Sequence, residues 1–131
     1  SVLLGSAENI KKAKRIRKAM GGGWRQAGYL AAAGIYALDN NIDRLKIDHE
    51  NAKKIGQLLE KQSFVKSIYN IETNIVIFEL QDHLNTATVL DKFTKKGLLA
   101  VAFGPQLIRF VTHLDFNENQ LNQLEEIFKA I

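Results

Sequence analysis

The stretch NIVIFEL at residues 74–80 decides the fold. From residue 64 onward the hydrophobic pattern has a period of two, so residues 64–71 and 74–80 each predict a strand. Further along the chain, residues 98–103 and 107–112 predict two more short strands around Gly104-Pro105, a dipeptide typical of turns. The sequence therefore predicts four strands in the second half of the chain.

Helical patterns separate and follow these strands. Residues 84–96 predict a helix, and Gly97 stands after it at the place of a left-handed C-cap. The last helix is predicted to begin near Asn117, which forms a capping-box-like pair with Gln120. The expected buried face of this helix consists of Leu121, Leu124, Ile127 and Phe128.

The first half of the chain is also helical in pattern. Residues 2–4 predict the end of a strand, and Ser6 is expected to cap a basic helix after it. Three glycines at 21–23 stop that helix, because glycine is costly inside one. Helical spacing then runs over about 25–61, as one kinked helix or as two consecutive helices. The order predicts an α+β fold, with N-terminal helices followed by a small, mainly antiparallel sheet backed by helices.

Composition bounds the classes of function. The chain has 131 residues, of which 46% are hydrophobic and one is proline, as is typical of a globular domain. It has no cysteine, which excludes disulfides, thiolate metal sites and thiol catalysis. No apolar run approaches the roughly 20 residues that cross a bilayer. These features suit a reducing compartment, and we expect a cytoplasmic location without a membrane partner.

The net charge of +4 permits an anionic partner. The first helix carries a cluster of basic residues, namely Lys11, Lys12, Lys14, Arg15, Arg17 and Lys18. The cluster is either an anion site or an ordinary solvated helix face. Because it lacks the aromatic residues of nucleic-acid modules, we expect no nucleic-acid partner, and only Lys18 is a candidate site residue. A basic module that binds nucleic acid or another polyanion remains the alternative function.

The segment GGGWRQAG at residues 21–28 is a candidate anion site. Glycines that open onto a helix let backbone N–H groups approach an anion, and the helix N-terminus attracts negative charge. Arg25 is expected in the first turn of that helix, where the helix dipole disfavours a cation. A cation in that position suggests an anion for it to bind, whereas the glycines alone fit a bare hinge equally well.

The segment IRFVTHLD at residues 108–115 is the second candidate. Because side chains alternate along a strand, Arg109 is expected on the side opposite Ile108 and Phe110. A partly buried guanidinium needs a partner, which is either an internal acid or the carboxylate of a ligand.

The three histidines are scattered. We expect His49 to be a packed, hydrogen-bonded core residue and His83 to lie in a polar loop. His113, beside Asp115, is expected to orient the chain at a strand end. No pair of histidines has the spacing of metal ligands, so no metal site is expected.

Taken together, GGGWRQAG, DRLKIDHENA, TNIVIF and RFVTHLD resemble the C-terminal part of threonine aldolases. The similarity runs from SVLLGS to the end of the chain. These enzymes are pyridoxal-phosphate-dependent members of the beta-eliminating lyases and have the aspartate-aminotransferase-like fold (fold type I). The resemblance implies cleavage of threonine or allo-threonine to glycine and acetaldehyde, in an assembly that is usually a homotetramer.

The resemblance also implies roles for three residues. Arg25, with Lys18 nearby, would hold the cofactor phosphate, and Arg109 would bind the α-carboxylate of the substrate. The Schiff-base lysine lies, in the family, just before SVLLGS in a Ser-Lys-Gly-type turn that this sequence does not contain. We therefore expect no catalytic residue in this chain, no productive binding of pyridoxal phosphate by the chain alone, and no activity of the chain alone.

The same resemblance divides the chain into three parts. Residues 1–23 would be a remnant of the large cofactor-binding domain, comprising a strand end and the basic helix. Residues 24–62 would be a long connecting helix or helix pair, and residues 63–131 would be the small C-terminal α+β domain.

Overall fold

The computed structural model describes residues 2–129 and 131; Ser1, the first residue of the predicted segment 1–23, and Ala130 lie outside it. The described residues form five helices and four strands, and from residue 7 onward their order is the predicted one. In chain order these are α1 Ala7–Ala19, α2 Gly28–Asn40, α3 Leu45–Leu59, β1 Val65–Ile68, β2 Ile75–Leu80, α4 Thr86–Lys95, β3 Val101–Ala102, β4 Leu107–Val111 and α5 Glu118–Lys129. The chain divides into two compact units, a helical unit Ser1–Asn41 and a sheet unit Ile42–Ile131.

In the helical unit, α1 begins as predicted. The Ser6 hydroxyl accepts a hydrogen bond from the backbone N–H of Asn9 at 3.3 Å, which satisfies one of the free donors of the first turn. The predicted strand end at residues 2–4 is wrong, since these residues form no strand in the structure. A strand requires a hydrogen-bonding neighbour, and the four observed strands pair with one another between residues 65 and 111.

The glycine run ends α1 through a Schellman motif. Gly21 has a φ of +82°, which an L side chain rarely adopts. Its N–H donates to the Lys18 carbonyl at 3.2 Å, and the Gly22 N–H donates to the Arg17 carbonyl at 2.8 Å. The glycines therefore have a structural role of their own at this helix end.

The pattern at 25–61 resolves into two helices, α2 and α3, with residues 41–44 between them. No residue of α2 is buried, although the helix is mostly apolar. Its large exposed apolar side chains are Tyr29, Leu30, Ile35, Tyr36 and Leu38.

The sheet unit contains one antiparallel sheet of strand order β1-β2-β4-β3. In its centre Ile77 lies opposite Arg109 and Phe78 opposite Ile108. The edge strands β1 and β3 are shorter than predicted. Each of them pairs on one side only, and the register of β1 shifts between Val65 and Ser67.

Helices α3, α4 and α5 cover one face of this sheet and form a single core with it. Five phenylalanines line this core, with ring centroids 5.3 to 6.3 Å apart, namely Phe64, Phe78, Phe93, Phe110 and Phe128. Edge-to-face and offset aromatic pairs stabilise a fold beyond the area that they bury. Gly97 ends α4 with a φ of +80°, as predicted. The Asn117–Gln120 capping box is also confirmed, by reciprocal bonds of 2.8 and 3.2 Å.

The buried side of α3 differs from the prediction at one position. His49 is only half-buried and makes no side-chain hydrogen bond among the described residues, so its prediction as a core residue is wrong. Asp48 takes the buried place instead, because Arg44 pairs with its carboxylate. The hydroxyl of Thr112 also donates to the Asp48 carbonyl at 2.7 Å, which ties α3 to the end of β4.

Candidate functional site

Arg109 lies in the middle of β4 on the side of the sheet that the helices leave free. Its neighbours Ile108 and Phe110 are buried in the core, and Arg109 itself is half-buried. The predicted alternation is therefore confirmed. We call this side the open face; its residues are Ser67, Tyr69, Ile75, Ile77, Glu79, Val101, Phe103, Leu107, Arg109 and Val111, and none of them is buried.

The surroundings of Arg109 are apolar. Ile77 of β2 and Val101 of β3 lie directly opposite it in the two neighbouring strands. The guanidinium carbon of Arg109 lies over the ring of Phe103, 5.4 Å from the ring centroid. This distance is within the range of a cation–π interaction. Sequence reasoning missed Phe103, because its place beside Arg109 depends on the register by which β3 meets β4.

Arg109 has unfilled hydrogen-bonding capacity. Within residues 2–129 and 131, no carboxylate lies within ion-pair distance of its guanidinium, and its buried Nε has no hydrogen-bond partner. A buried donor without a partner costs about 1–3 kcal/mol. The structure therefore gives no support to the alternative of an internal acid, and an acceptor from outside this chain would relieve the cost.

The acid on the open face is used elsewhere. Glu79 accepts hydrogen bonds from Lys66 at 3.1 Å and from Ser67 at 3.0 Å. These bonds favour the charged carboxylate and lower the pKa of Glu79, with the Lys66 bond as the main cause. Lys66 also bonds Asp82 at 2.8 Å. Glu79 thus belongs to a local network at the β1–β2 edge.

In the helical unit, Arg25 is exposed and lies in the turn just before α2. The prediction that it falls in the first turn of the helix is wrong by a few residues, because α2 begins at Gly28. Its N-cap residue, Ala27, has no side chain to accept a hydrogen bond, and the first helical bond runs from the Ala31 N–H to the Ala27 carbonyl at 2.9 Å. A shallow hollow of about 500 Å³ is lined by Arg25, Gln26, Gly28, Tyr29 and Ala32.

Lys18 lies in the last turn of α1 and is exposed. Gly23 packs against its stem, since a Cβ atom at Gly23 would lie 3.2 Å from the Lys18 Cγ. Lys18 is not among the residues that line the Arg25 hollow. The basic residues of α1 are all exposed, and Lys12 pairs with Glu8 at 2.7 Å.

The remaining histidine candidates, His113 and His83, lie outside both arginine sites. His113 accepts a hydrogen bond from the Asp115 N–H at 3.3 Å on its Nδ1, which confirms its predicted role in orienting the chain. His83 lies exposed in a turn, as predicted. Across the described residues, no group of three His, Cys, Asp or Glu side chains is placed to hold a metal ion. No helix in that part of the chain has the length and apolar character to cross a membrane.

Residues 1–83 match the family described as beta-eliminating lyase. The chain belongs to this family. Among curated relatives, the chain is 37% identical to the low specificity L-threonine aldolase of Escherichia coli K12, over 99% of this chain and 38% of that protein. It is 34% identical to the low-specificity L-threonine aldolase 1 of Arabidopsis thaliana, over 86% of this chain and 32% of that protein. The chain thus spans less than two fifths of the length of these relatives.

Solved structures share the fold of this beta-eliminating lyase chain. The histidinol-phosphate aminotransferase of Clostridium acetobutylicum matches 62% of the chain with 25% of its own, at a TM-score of 0.52 and 16% identity. The ornithine delta-aminotransferase of Plasmodium falciparum matches 66% of the chain with 22% of its own, at a TM-score of 0.54 and 18% identity. At these identities the likeness concerns the fold alone. It confirms the predicted α+β class of the aspartate-aminotransferase-like fold.

Proposed function

We propose that the whole protein is a pyridoxal-phosphate-dependent threonine aldolase, which cleaves threonine or allo-threonine to glycine and acetaldehyde. Membership of the beta-eliminating lyases and the names of the relatives support this assignment. The structural observation that carries it is Arg109, a half-buried guanidinium on an apolar sheet face with no acid of this chain to neutralise it. An amino acid substrate brings a carboxylate of the right charge and geometry.

In this proposal Arg109 binds the substrate α-carboxylate. The planar guanidinium offers parallel N–H donors that match the two oxygens of a carboxylate, which a lysine ammonium does not. The aliphatic neighbours Ile77 and Val101 offer no competing hydrogen-bond acceptor, so the donors of Arg109 stay available for the substrate. A bidentate grip fixes the substrate about its α-carbon, the atom whose bond to the β-carbon is cleaved.

Arg25 and Lys18 are proposed to hold the phosphate of the cofactor. Both are exposed cations on either side of the glycine turn, and Arg25 lines a hollow beside the N-terminus of α2. This donor set suits a phosphate, which accepts hydrogen bonds from a guanidinium and is favoured near a helix N-terminus. When bound, pyridoxal phosphate supplies the electron sink for the bond cleavage.

The same proposal includes a homotetrameric assembly and the division of the chain into residues 1–23, 24–62 and 63–131.

We also propose that the chain alone is inactive. This inactivity rests on the resemblance, which assigns the Schiff-base lysine to a Ser-Lys-Gly-type turn absent from this sequence. The test is to incubate the 131-residue chain with threonine and pyridoxal phosphate. Glycine release above that of free cofactor would contradict the proposed inactivity.

The main experiment compares Arg109→Lys with Lys66→Gln in the whole protein, by following acetaldehyde release from threonine. Arg109→Lys keeps the positive charge and loses the two parallel N–H donors of the guanidinium, so kcat/KM should fall by about 10- to 100-fold. Lys66→Gln is the matched control, because Lys66 is a cation of the same sheet but pairs with Glu79 and Asp82. The activity of the Lys66→Gln enzyme should be unchanged. An Arg109→Lys enzyme with unchanged kcat/KM would refute the role of Arg109.

The alternative, a polyanion-binding module, predicts a different result. Binding of duplex DNA by the basic helix would weaken steeply as salt is added, because counterions are released on association. Fluorescence anisotropy of a labelled DNA duplex over a salt series would detect it. Tight binding at physiological salt, together with no threonine cleavage by the whole protein, would favour the module.

A further inference from the structure

Phe103 is a large aromatic residue that lies on the open face and outside the hydrophobic core. The residue follows β3, and its N–H donates to the Leu107 carbonyl at 2.9 Å. This bond continues the β3–β4 ladder by one pair, so Phe103 shares the face of Leu107 and Arg109. Its side chain is 52% exposed. Burial in the core therefore does not explain why a large aromatic residue stands here.

The contact that Phe103 does make is with Arg109. The guanidinium carbon lies over the ring at 5.4 Å from the centroid. A cation over an aromatic face is held by the ring quadrupole and uses none of its N–H groups. Within the described residues no ion pair orients this guanidinium, and its direct cross-strand neighbours, Ile77 and Val101, are aliphatic.

The backbone that presents Phe103 is itself fixed. The Thr86 hydroxyl at the start of α4 donates to the Pro105 carbonyl. The Gln106 side-chain amide donates to the carbonyls of Leu84 at 3.1 Å and Gln81 at 3.3 Å. The turn after β3 is therefore anchored by hydrogen bonds to the segment between β2 and α4 and to the start of α4, and Phe103 stands directly before this anchored turn.

We propose that Phe103 is a positioning residue for Arg109, holding the guanidinium in place for a carboxylate before the ligand arrives. The inference rests on the proposed function, since it deepens the role of Arg109 in binding the amino acid. A free arginine loses much rotamer entropy when it binds a ligand, and an arginine already stacked on a ring loses less. The stack leaves the N–H fork free for the carboxylate.

The first test uses three variants of the whole protein, with KM and kcat for threonine and calorimetric binding of glycine. Phe103→Leu keeps an apolar side chain and removes the ring, so KM should rise about three- to tenfold with kcat little changed. Phe103→Tyr keeps the ring face and should restore KM. Tyr69→Leu is the matched control, because Tyr69 is an aromatic residue of the same sheet unit, 54% exposed, and its KM should stay at the wild-type value.

A second measurement separates positioning from folding. Glycinamide lacks the carboxylate, so Phe103→Leu should weaken binding of glycine and leave that of glycinamide unchanged. A merely structural defect would instead lower kcat through loss of active protein and affect both ligands alike. In an Arg109→Lys background, Phe103→Leu should add no further rise in KM, because the two residues act through one contact.

The outcomes distinguish this inference from the proposed function. If Arg109→Lys itself leaves KM and kcat/KM unchanged, the proposed function of Arg109 fails. If Arg109→Lys impairs the enzyme while Phe103→Leu does not, only the positioning role is overturned. A Phe103→Tyr enzyme as impaired as Phe103→Leu would also overturn it.

Discussion

Both terminal nitrogens of Arg44 hold the Asp48 carboxylate, at 2.8 and 3.0 Å, where Asp48 is only 3% exposed. Removal of one partner from a buried pair leaves an uncompensated charge in the interior. Arg44→Ala should therefore lower the free energy of unfolding by about 3 kcal/mol, as measured by urea denaturation. The exposed pair Glu8–Lys12 provides the control, and Lys12→Ala should cost under about 0.5 kcal/mol. Equal effects of the two variants would contradict the role of burial.

The hydroxyl of Thr112 should also matter for stability. It is buried and donates to the Asp48 carbonyl at 2.7 Å. Thr112→Val preserves the shape and removes this donor, so we expect a loss of about 1–2 kcal/mol in the free energy of unfolding. Thr94→Val removes a similar bond, to the Leu90 carbonyl at 2.9 Å, on an exposed part of α4 and should cost much less. The result would count against the prediction if Thr94→Val were the more damaging change.

Gly97 ends α4 with a φ of +80° and has open space around the position of a Cβ atom. A substitution there thus tests backbone strain without a clash. Gly97→Ala should destabilise the chain by about 1–2 kcal/mol, and Gly97→Asn by less, because asparagine tolerates the left-handed region better. Thermal unfolding of both variants followed by circular dichroism gives the ranking. An alanine variant as stable as the wild type would show that φ is not held positive.

The network at Glu79 predicts a dependence on pH. Its pKa is lowered from 4.5 by hydrogen bonds from Lys66 and Ser67, so the folded state favours the charged carboxylate. The resulting stabilisation is present above pH 4.5 and is lost as the pH falls through the lowered pKa. In Lys66→Gln the titration of Glu79 should move up toward 4.5, as followed by NMR of its side-chain carboxyl carbon. An unchanged titration in that variant would exclude Lys66 as the main cause.

The sequence predicted most of the sheet unit because local signals and tertiary packing agree there. The alternation in β4 placed Arg109 on the correct face, and the pairs at Asn117 and Gly97 marked real helix ends. The prediction of His49 as a core residue failed because hydrophobic periodicity assigns a charged residue to the exposed side of a helix. It therefore chose His49 for the buried side and not its neighbour Asp48. Asp48 is buried in a bidentate pair with Arg44, which stands four residues earlier at the N-cap of the same helix. That spacing was a readable signal, which the hydrophobic periodicity alone does not contain.

The candidate site was predictable only in part. The sequence marked Arg25 by its place after the glycine run and Arg109 by its place within an apolar strand. It left the partner of Arg109 open, since any acid of the chain could have reached it. The structure shows that Glu79 is engaged by Lys66 and Ser67 instead. The contact of Arg109 with Phe103 was not predictable, because it depends on the register by which β3 meets β4.

The end of α1 limits how an anion could be held at the glycine run. The amides of Gly21 and Gly22 are already committed to carbonyls of their own helix. A phosphate in this place would therefore have to draw its backbone donors from Gly23 onward and its positive charge from side chains. The first two glycines thus serve to end α1, and the N–H of Gly23 is the first backbone donor of the glycine run that is left for a ligand.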